Sequence, residues 1–182
     1  MKTIKTNKEK FTAIRCIDKF VPVYHLGFNL KDIPEETVEH GKTSRVLNAS
    51  YYFKKLIGVP SVETVKNVLI ELINEYDKSE EVNSFIIDNN TYWLDKNERA
   101  SIKNAIEITK AADKTKFVLW VKDTPYEFTV EDAVKIINKL ELYAIECYNT
   151  TKKHLNTVND IDNIDDLLKY DFTANYPSKV TV

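Results

Sequence analysis

An α+β fold is expected for this chain, on three observations. Two pairs of short apolar-aromatic runs, SFIID with TYWLD and KFVLWVK with YEFTV, are each joined by turn-forming residues, which is the pattern of a β-hairpin. A run from Thr129 to Val158 holds neither Pro nor Gly and repeats its apolar residues at helical spacing. Residues 11–30 (FTAIRCIDKFVPVYHLGFNL) are rich in β-branched and aromatic types, the residues that suit a pleated surface. Together these predict two short hairpins packed with three or four helices, one of them long and C-terminal, plus a small β-rich N-terminal segment.

Taken in order, residues 11–30 predict two short strands around Asp18 and Lys19. The polar stretch KDIPEETVEHGKT follows as a connection. SRVLNASYYFKKLIG is expected to be a helix carrying Val46, Leu47, Tyr51, Phe53 and Leu56, stopped by Gly58 and then by Pro60. Gly27, Gly41 and Gly58 are the only glycines, so later turns rest on Asn, Asp and Pro.

Ser61 is placed to cap a helix through Tyr76, with Val62, Val65, Leu69, Leu72, Ile73 and Tyr76 near the 3.6-residue period. The first hairpin should turn at Asn89-Asn90. Asp95 and Glu98 stand in capping-box spacing before a helix bearing Ile102, Ala105, Ile106 and Ile108 that ends near Ala112. Asp123-Thr124-Pro125 should turn the second hairpin.

Thr129, with Asp132 three residues on, opens the long helix, roughly 45 Å at 1.5 Å per residue. Its stripe of Ala133, Ile137, Leu140, Ala144, Cys147 and Thr151 is widened by Val134, Tyr143 and Tyr148. Packing on helices of its own domain is favoured over a partner-facing seam. A short helix around IDDLLKY and an extended tail, DFTANYPSKVTV, complete the chain. Two regions are expected: residues 1–58, a strand, loop and helix adaptor segment, and residues 59–182, an α+β domain with its tail.

Composition narrows the function. Hydrophobic residues at 43% and charged residues at 30% predict a packed core rather than disorder. A formal net charge of -2 supplies no excess of Lys and Arg for a phosphate backbone, so nucleic acid is not an expected partner. Cys16 and Cys147 form no C-x-x-C and lie in apolar surroundings, so both are read as reduced core residues. The Lys-rich start is followed by no apolar h-region, and no stretch approaches the ~20 apolar residues that span a bilayer. A cytosol-like compartment and no membrane are expected.

Catalytic patterns fare poorly. GKTS at residues 41–44 looks like the end of a phosphate-binding loop, but such a loop has a glycine five positions before Gly41, where this chain has Glu36. His25, His40 and His154 lack carboxylates or thiols at ligand spacing, and His154 is read as a solvated helix position. There is no G-x-S-x-G, and Cys147 falls inside a helix where a nucleophile is hard to expose. Adjacent acids such as Glu35-Glu36, Glu80-Glu81 and Asp165-Asp166 point different ways and read as solvated faces. An enzyme would need a site from scattered residues such as Arg15, Asp18 and His25. No catalytic residue, cofactor, metal or small-molecule substrate is therefore expected.

Ten tyrosines and eight phenylalanines supply contact area to core and interface alike. Most should be core. Tyr51, Tyr52, Tyr92, Trp93, Arg99, Tyr143 and Tyr148 are the candidate interface, on the premise that some cluster on one exposed face with Arg99 or Arg45.

The segment PSVETVKNVLIELINEYD, the hairpin SFIIDNNTYWLD and the helix start KNERASIKNAIE resemble an uncharacterised domain family that recurs in tail and fibre genes of tailed bacteriophages. The likeness spans roughly residues 59–158. It is carried by Pro60, Val62, Glu63, Val65 and Lys66, then Phe85, Tyr92, Trp93, Leu94, Glu98 and Arg99, then Phe117 to Trp120. ELYAIECYNTTKKHLNTVNDI and KYDFTANYP are similar to it as well, whereas Ser84 stands where that family usually has glycine.

The resemblance implies a virion location and no catalytic residues. The resulting expectation is a non-enzymatic structural component of a phage tail or head-tail neck, oligomeric, in contact with tail, neck or fibre proteins. Its long helix and two N-terminal strands would be the contact elements. The alternative is a cytoplasmic assembly chaperone for tail fibres.

Overall fold

A computed structural model describes residues 3–18, 20–40 and 43–182. It is mixed helix and strand, α+β, with a long C-terminal helix. Internal contacts divide the chain into two compact units, Met1–Tyr76 with Thr151–Ala174, and Asp77–Thr150 with Asn175–Val182. The division falls at Tyr76/Asp77 rather than near residue 58, because the helix that follows Ser61 packs on the N-terminal strands.

In the first unit four antiparallel strands, β1 (Thr3–Thr6), β2 (Ile14–Asp18), β3 (Val23–His40) and β4 (Thr43–Ile57), lie in the order β1-β4-β3-β2. One face of the sheet buries Leu26 and Phe28 against α1 (Val62–Asp77), the end of α4 (Val130–Asp160) and α5 (Ile164–Lys169). Val65, Leu69, Leu72, Ile73, Val158, Leu167, Leu168 and Phe172 fill that core. The hydroxyl of Ser61 accepts the Thr64 N–H at 3.2 Å, capping α1 as expected.

Two expectations fail here. The segment expected to be a helix, with Val46, Leu47, Tyr51, Phe53 and Leu56, is β4, and the polar stretch before it, from Lys31 to His40, is the outer half of β3. Tyr52 and Leu56 face the core opposite Phe28 and Tyr24, while Tyr51 and Phe53 occupy the other face. Apolar residues at both parities hide the period of two on which strand recognition rests. Two register shifts let β3 bend. Asn29 takes φ 53° in the first, and Pro34, which has no N–H for a ladder, falls within the second, between Asp32 and Glu36.

Cys16 is exposed, not buried, because β2 is an edge strand with four of its five residues exposed. His154 is buried, not solvated: Nδ1 lies 2.7 Å from the Tyr170 hydroxyl and Nε2 2.9 Å from the Ala174 carbonyl. Backbone from beyond α5 covers it, which helix periodicity cannot foretell.

In the second unit β5 (Ser84–Ile87) pairs with β6 (Asn90–Trp93). The turn is Asp88-Asn89, at φ 48° and 61°, one residue earlier than expected. The short α2 (Glu80–Asn83) precedes it. The tail adds a strand-like segment on the other side of β5: Ile86 donates to the Val180 carbonyl and Val182 donates to the Ile86 carbonyl, each at 2.8 Å.

Asp95 caps α3 (Lys96–Ala111) in a complete capping box with Glu98. β7 (Lys116–Val121) and β8 (Thr124–Thr129) form the second hairpin. Its turn is Lys122-Asp123, so Thr124 and Pro125 belong to β8; a two-stranded ribbon leaves an edge where the missing proline N–H costs nothing.

The Thr129 hydroxyl accepts the Asp132 N–H at 3.1 Å at the start of α4. Along α4, Ala133, Ile137, Leu140, Tyr143, Cys147 and Thr151 are buried within the chain itself. Of the expected stripe, Ala144 and Val134 are half-buried and Tyr148 is exposed.

Candidate binding surfaces

β3 and β4 run for 18 and 15 residues, well beyond the strands that flank them. β2 reaches only Val23 to Leu26 of β3, and β1 only Ala49 to Tyr52 of β4. From Glu36 opposite Leu47 to His40 opposite Thr43 the hairpin is a two-stranded ribbon. Its base is held by ion pairs, Lys5 to Glu36 at 2.5 Å and Lys8 to Asp32 at 2.7 Å. Glu35, Glu39 and Arg45 are exposed on it, with Val38, Val46 and Leu47 half-buried. Polar side chains on both faces made this stretch read as a connection. Of the GKTS motif, Gly41 and Lys42 lie outside the described residues, and Thr43 and Ser44 begin β4.

The second surface is the sheet face opposite the helices. β1 and β2 are the two edges, so the connection between them, residues 7–13, must cross the sheet. It does so over Gly27, whose N–H donates to the Ala13 carbonyl at 2.8 Å. A Cβ at Gly27 would lie 2.8 Å from both the Phe11 and the Tyr51 rings, which pack with centroids 4.8 Å apart. Glycine in this strand therefore marks a close approach.

Beside the crossing lies a hollow of about 390 Å³ lined by Lys10, Phe11, Arg15, His25, Gly27 and Tyr51. Arg15 and His25 are cross-strand partners, and His25 meets the Phe53 ring edge-on at 4.5 Å. Asp18 is engaged elsewhere: its Oδ1 accepts the N–H groups of Phe20 at 2.9 Å and Val21 at 3.3 Å.

In the second unit Trp93, Arg99 and Tyr148, three of the candidate interface residues, line a cleft of about 500 Å³ with Glu141, Ala144 and Ile145. Arg99 is mostly buried there; its Nε donates to Glu141 at 3.1 Å and its Nη1 to the Leu94 carbonyl at 2.7 Å. Trp93 and Tyr148 stay partly exposed. The capping-box helix start fixes Arg99 over the β6 end, which the Asp95/Glu98 spacing did signal.

The other candidates are placed differently. Tyr143 is buried and donates its hydroxyl to the Val82 carbonyl. Tyr52 packs on Phe172, centroids 4.9 Å apart, in the core of the first unit. The Tyr92 hydroxyl lies 3.2 Å from that of Tyr126, a hydrogen bond that is the main cause pushing the Tyr126 phenol up to about 12. Tyr51 belongs to the hollow. Of the scattered residues Arg15, Asp18 and His25, Arg15 and His25 do meet as cross-strand partners; Lys10, Phe11 and Gly27 were not foreseen beside them.

Among the described residues no group of three His, Cys, Asp or Glu side chains could hold a metal ion, and no helix is long and apolar enough to cross a membrane. No protein-family model, curated protein or solved structure matches this chain.

Proposed function

We propose that this protein is a non-enzymatic virion component of a tailed bacteriophage, in the tail or head-tail neck, that works through protein-protein contacts and self-assembles. The observation that carries the contact role is the β3-β4 hairpin, whose outer part, where Glu36–His40 pairs with Thr43–Leu47, has no third strand among the described residues. An isolated two-stranded ribbon is marginal in water, and its open edges are templates for a further strand. A neighbouring subunit that adds a strand there satisfies both needs. A ring of identical subunits is the form in which such a head-to-tail contact closes. The phage setting rests on the resemblance carried by residues 59–158.

The test is mass spectrometry of gradient-purified particles, quantified against the major capsid protein, for the whole chain and for a variant with residues 36–47 replaced by a two-residue turn. Stoichiometric copies of the whole chain and loss of a folded, shortened variant are the expected result. Absence of the whole chain from particles, with abundance in the lysate, rejects the virion reading and favours the fibre-assembly chaperone.

A further inference from the structure

We infer that the hollow on the open face of the first sheet is a docking site for a short acidic segment of a partner protein. It deepens the protein-binding reading by naming the partner's chemistry, through a surface other than the hairpin ribbon.

The charge inventory points this way. Lys5 and Lys8 are paired with Glu36 and Asp32. Lys10 and Arg15, which line the hollow with His25, make no ion pair among the described residues, and both are exposed. A second hollow of about 480 Å³ shares Lys10 but is bordered by Arg45 of the ribbon, again without an ion pair among the described residues, and is not part of the proposed site. Lys10 lines both hollows, and within the proposed one Lys10 and Arg15 are the cations that make no ion pair among the described residues. Carboxylates are the charge these guanidinium forks match bidentately.

The shape is built rather than incidental. The floor is Gly27 and one wall is the Phe11-Tyr51 pair, which a Cβ on residue 27 would push away. An aromatic wall beside cationic heads accepts the stem of a Glu or a neighbouring apolar side chain while its carboxylate meets Arg15 or Lys10.

A protein segment is favoured over nucleic acid. Glu9, Asp32 and Glu36 stand among these cations, and the chain is net -2. Interleaved acids repel a continuous phosphate backbone but leave room for isolated carboxylates.

The experiment is fluorescence anisotropy of a dye-labelled hexaglutamate peptide with the full chain at low salt, against a single-stranded hexanucleotide. The comparison protein is Lys10→Gln/Arg15→Gln, whose fold is checked by circular dichroism. Saturable peptide binding that weakens roughly tenfold or more in the variant and falls with added salt is the expected result. The inference is overturned if the peptide does not bind, if the variant binds it equally, or if the hexanucleotide binds more tightly through the same residues. Because the variant leaves the β3-β4 ribbon whole, its incorporation into particles reports on the ribbon separately: failure of peptide binding with normal incorporation sinks the hollow and spares the ribbon.

Discussion

Asn29 and Asp171, 142 residues apart in the chain, are joined by a 2.8 Å hydrogen bond from the Asn29 side-chain amide to Oδ1 of the carboxylate. The bond exists because Asn29 occupies the first register shift of β3 in a left-handed conformation, φ 53°, which asparagine tolerates better than most residues. Asp171 is bonded in turn by the Thr173 N–H at 3.0 Å and by Lys31, whose Nζ lies 3.0 Å from Oδ2. One buried side chain at a strand bulge thus fastens the segment after α5 to the sheet.

Asn29→Ala should therefore cost about 2 kcal/mol, combining a lost hydrogen bond to a charged group with an unfavourable φ. Asn29→Gly, which relieves the backbone but not the lost bond, should be less harmful. Urea unfolding midpoints of the two variants check this; equal effects would show that the backbone conformation contributes nothing.

The same carboxylate sets an acid limit. Burial alone would push the Asp171 carboxyl up, but hydrogen bonds from Thr173 and Lys31 more than offset this and hold it below the ordinary carboxylate range. A group depressed on folding stabilises the fold above its unfolded pKa, near 4, and loses that contribution as pH falls through its folded value. Asp171→Asn should be less stable than the parent at pH 7, and the gap should narrow below about pH 4. Chemical unfolding at several pH values gives the answer, and a gap independent of pH would rule the linkage out.

Gly27→Ala should destabilise by about 1–3 kcal/mol through overpacking, since the new methyl meets two rings at 2.8 Å. Combined with Phe11→Ala, its cost should shrink, so that the double variant is more stable than the sum of the two single effects allows. Strict additivity in a thermal-unfolding cycle would mean that the crossing segment does not rest on residue 27.

The cysteines should separate by reactivity. Cys16 is exposed on an edge strand, whereas burial pushes the Cys147 thiol up to about 11, and the thiolate is the reactive form. Alkylation of the native protein at pH 8 should add one label, on Cys16, and a second only in denaturant. Peptide mapping that finds Cys147 labelled in the native protein would contradict its burial.

Loss of the cap in Asp95→Ala should lower stability by about 1 kcal/mol and loosen the cleft, because Asp95 accepts the N–H groups of Asn97 and Glu98 one turn before Arg99. Hydrogen exchange of the first turn of α3 should rise above that of its middle.

What could be read in advance followed from local signals. Ser61, Asp95 and Thr129 announced their helices because a cap needs only neighbouring residues, and the two hairpins were visible because short apolar-aromatic runs flank turn-forming residues. The long hairpin was invisible for the opposite reason. β4 has aromatic residues on both faces, and the outer part of β3 has charges on both, so neither shows alternation, and Pro34 argued against a strand until a register shift accommodated it. Cys16 and His154 were misplaced because their exposure depends on what covers an edge strand and on where the chain returns after α5. Of the proposed interface, Trp93, Arg99 and Tyr148 do meet in one cleft, since local elements carry them, whereas the Lys10, Arg15 and His25 hollow exists only because β1 and β2 lie on opposite edges of one sheet.

Each compact unit is assembled from two stretches of chain. During synthesis, the sheet of the first unit emerges from the ribosome early but waits for residues 151–174, made only after most of the second unit, to cover its core. The second unit in turn receives its third strand-like segment from residues 175–182. Residues 151–182 thus contribute to both units. Such long-range closure slows folding and leaves partly covered strands open to neighbours in the interval, so a polysome carrying this message is the setting in which chaperone capture of the nascent sheet should be sought.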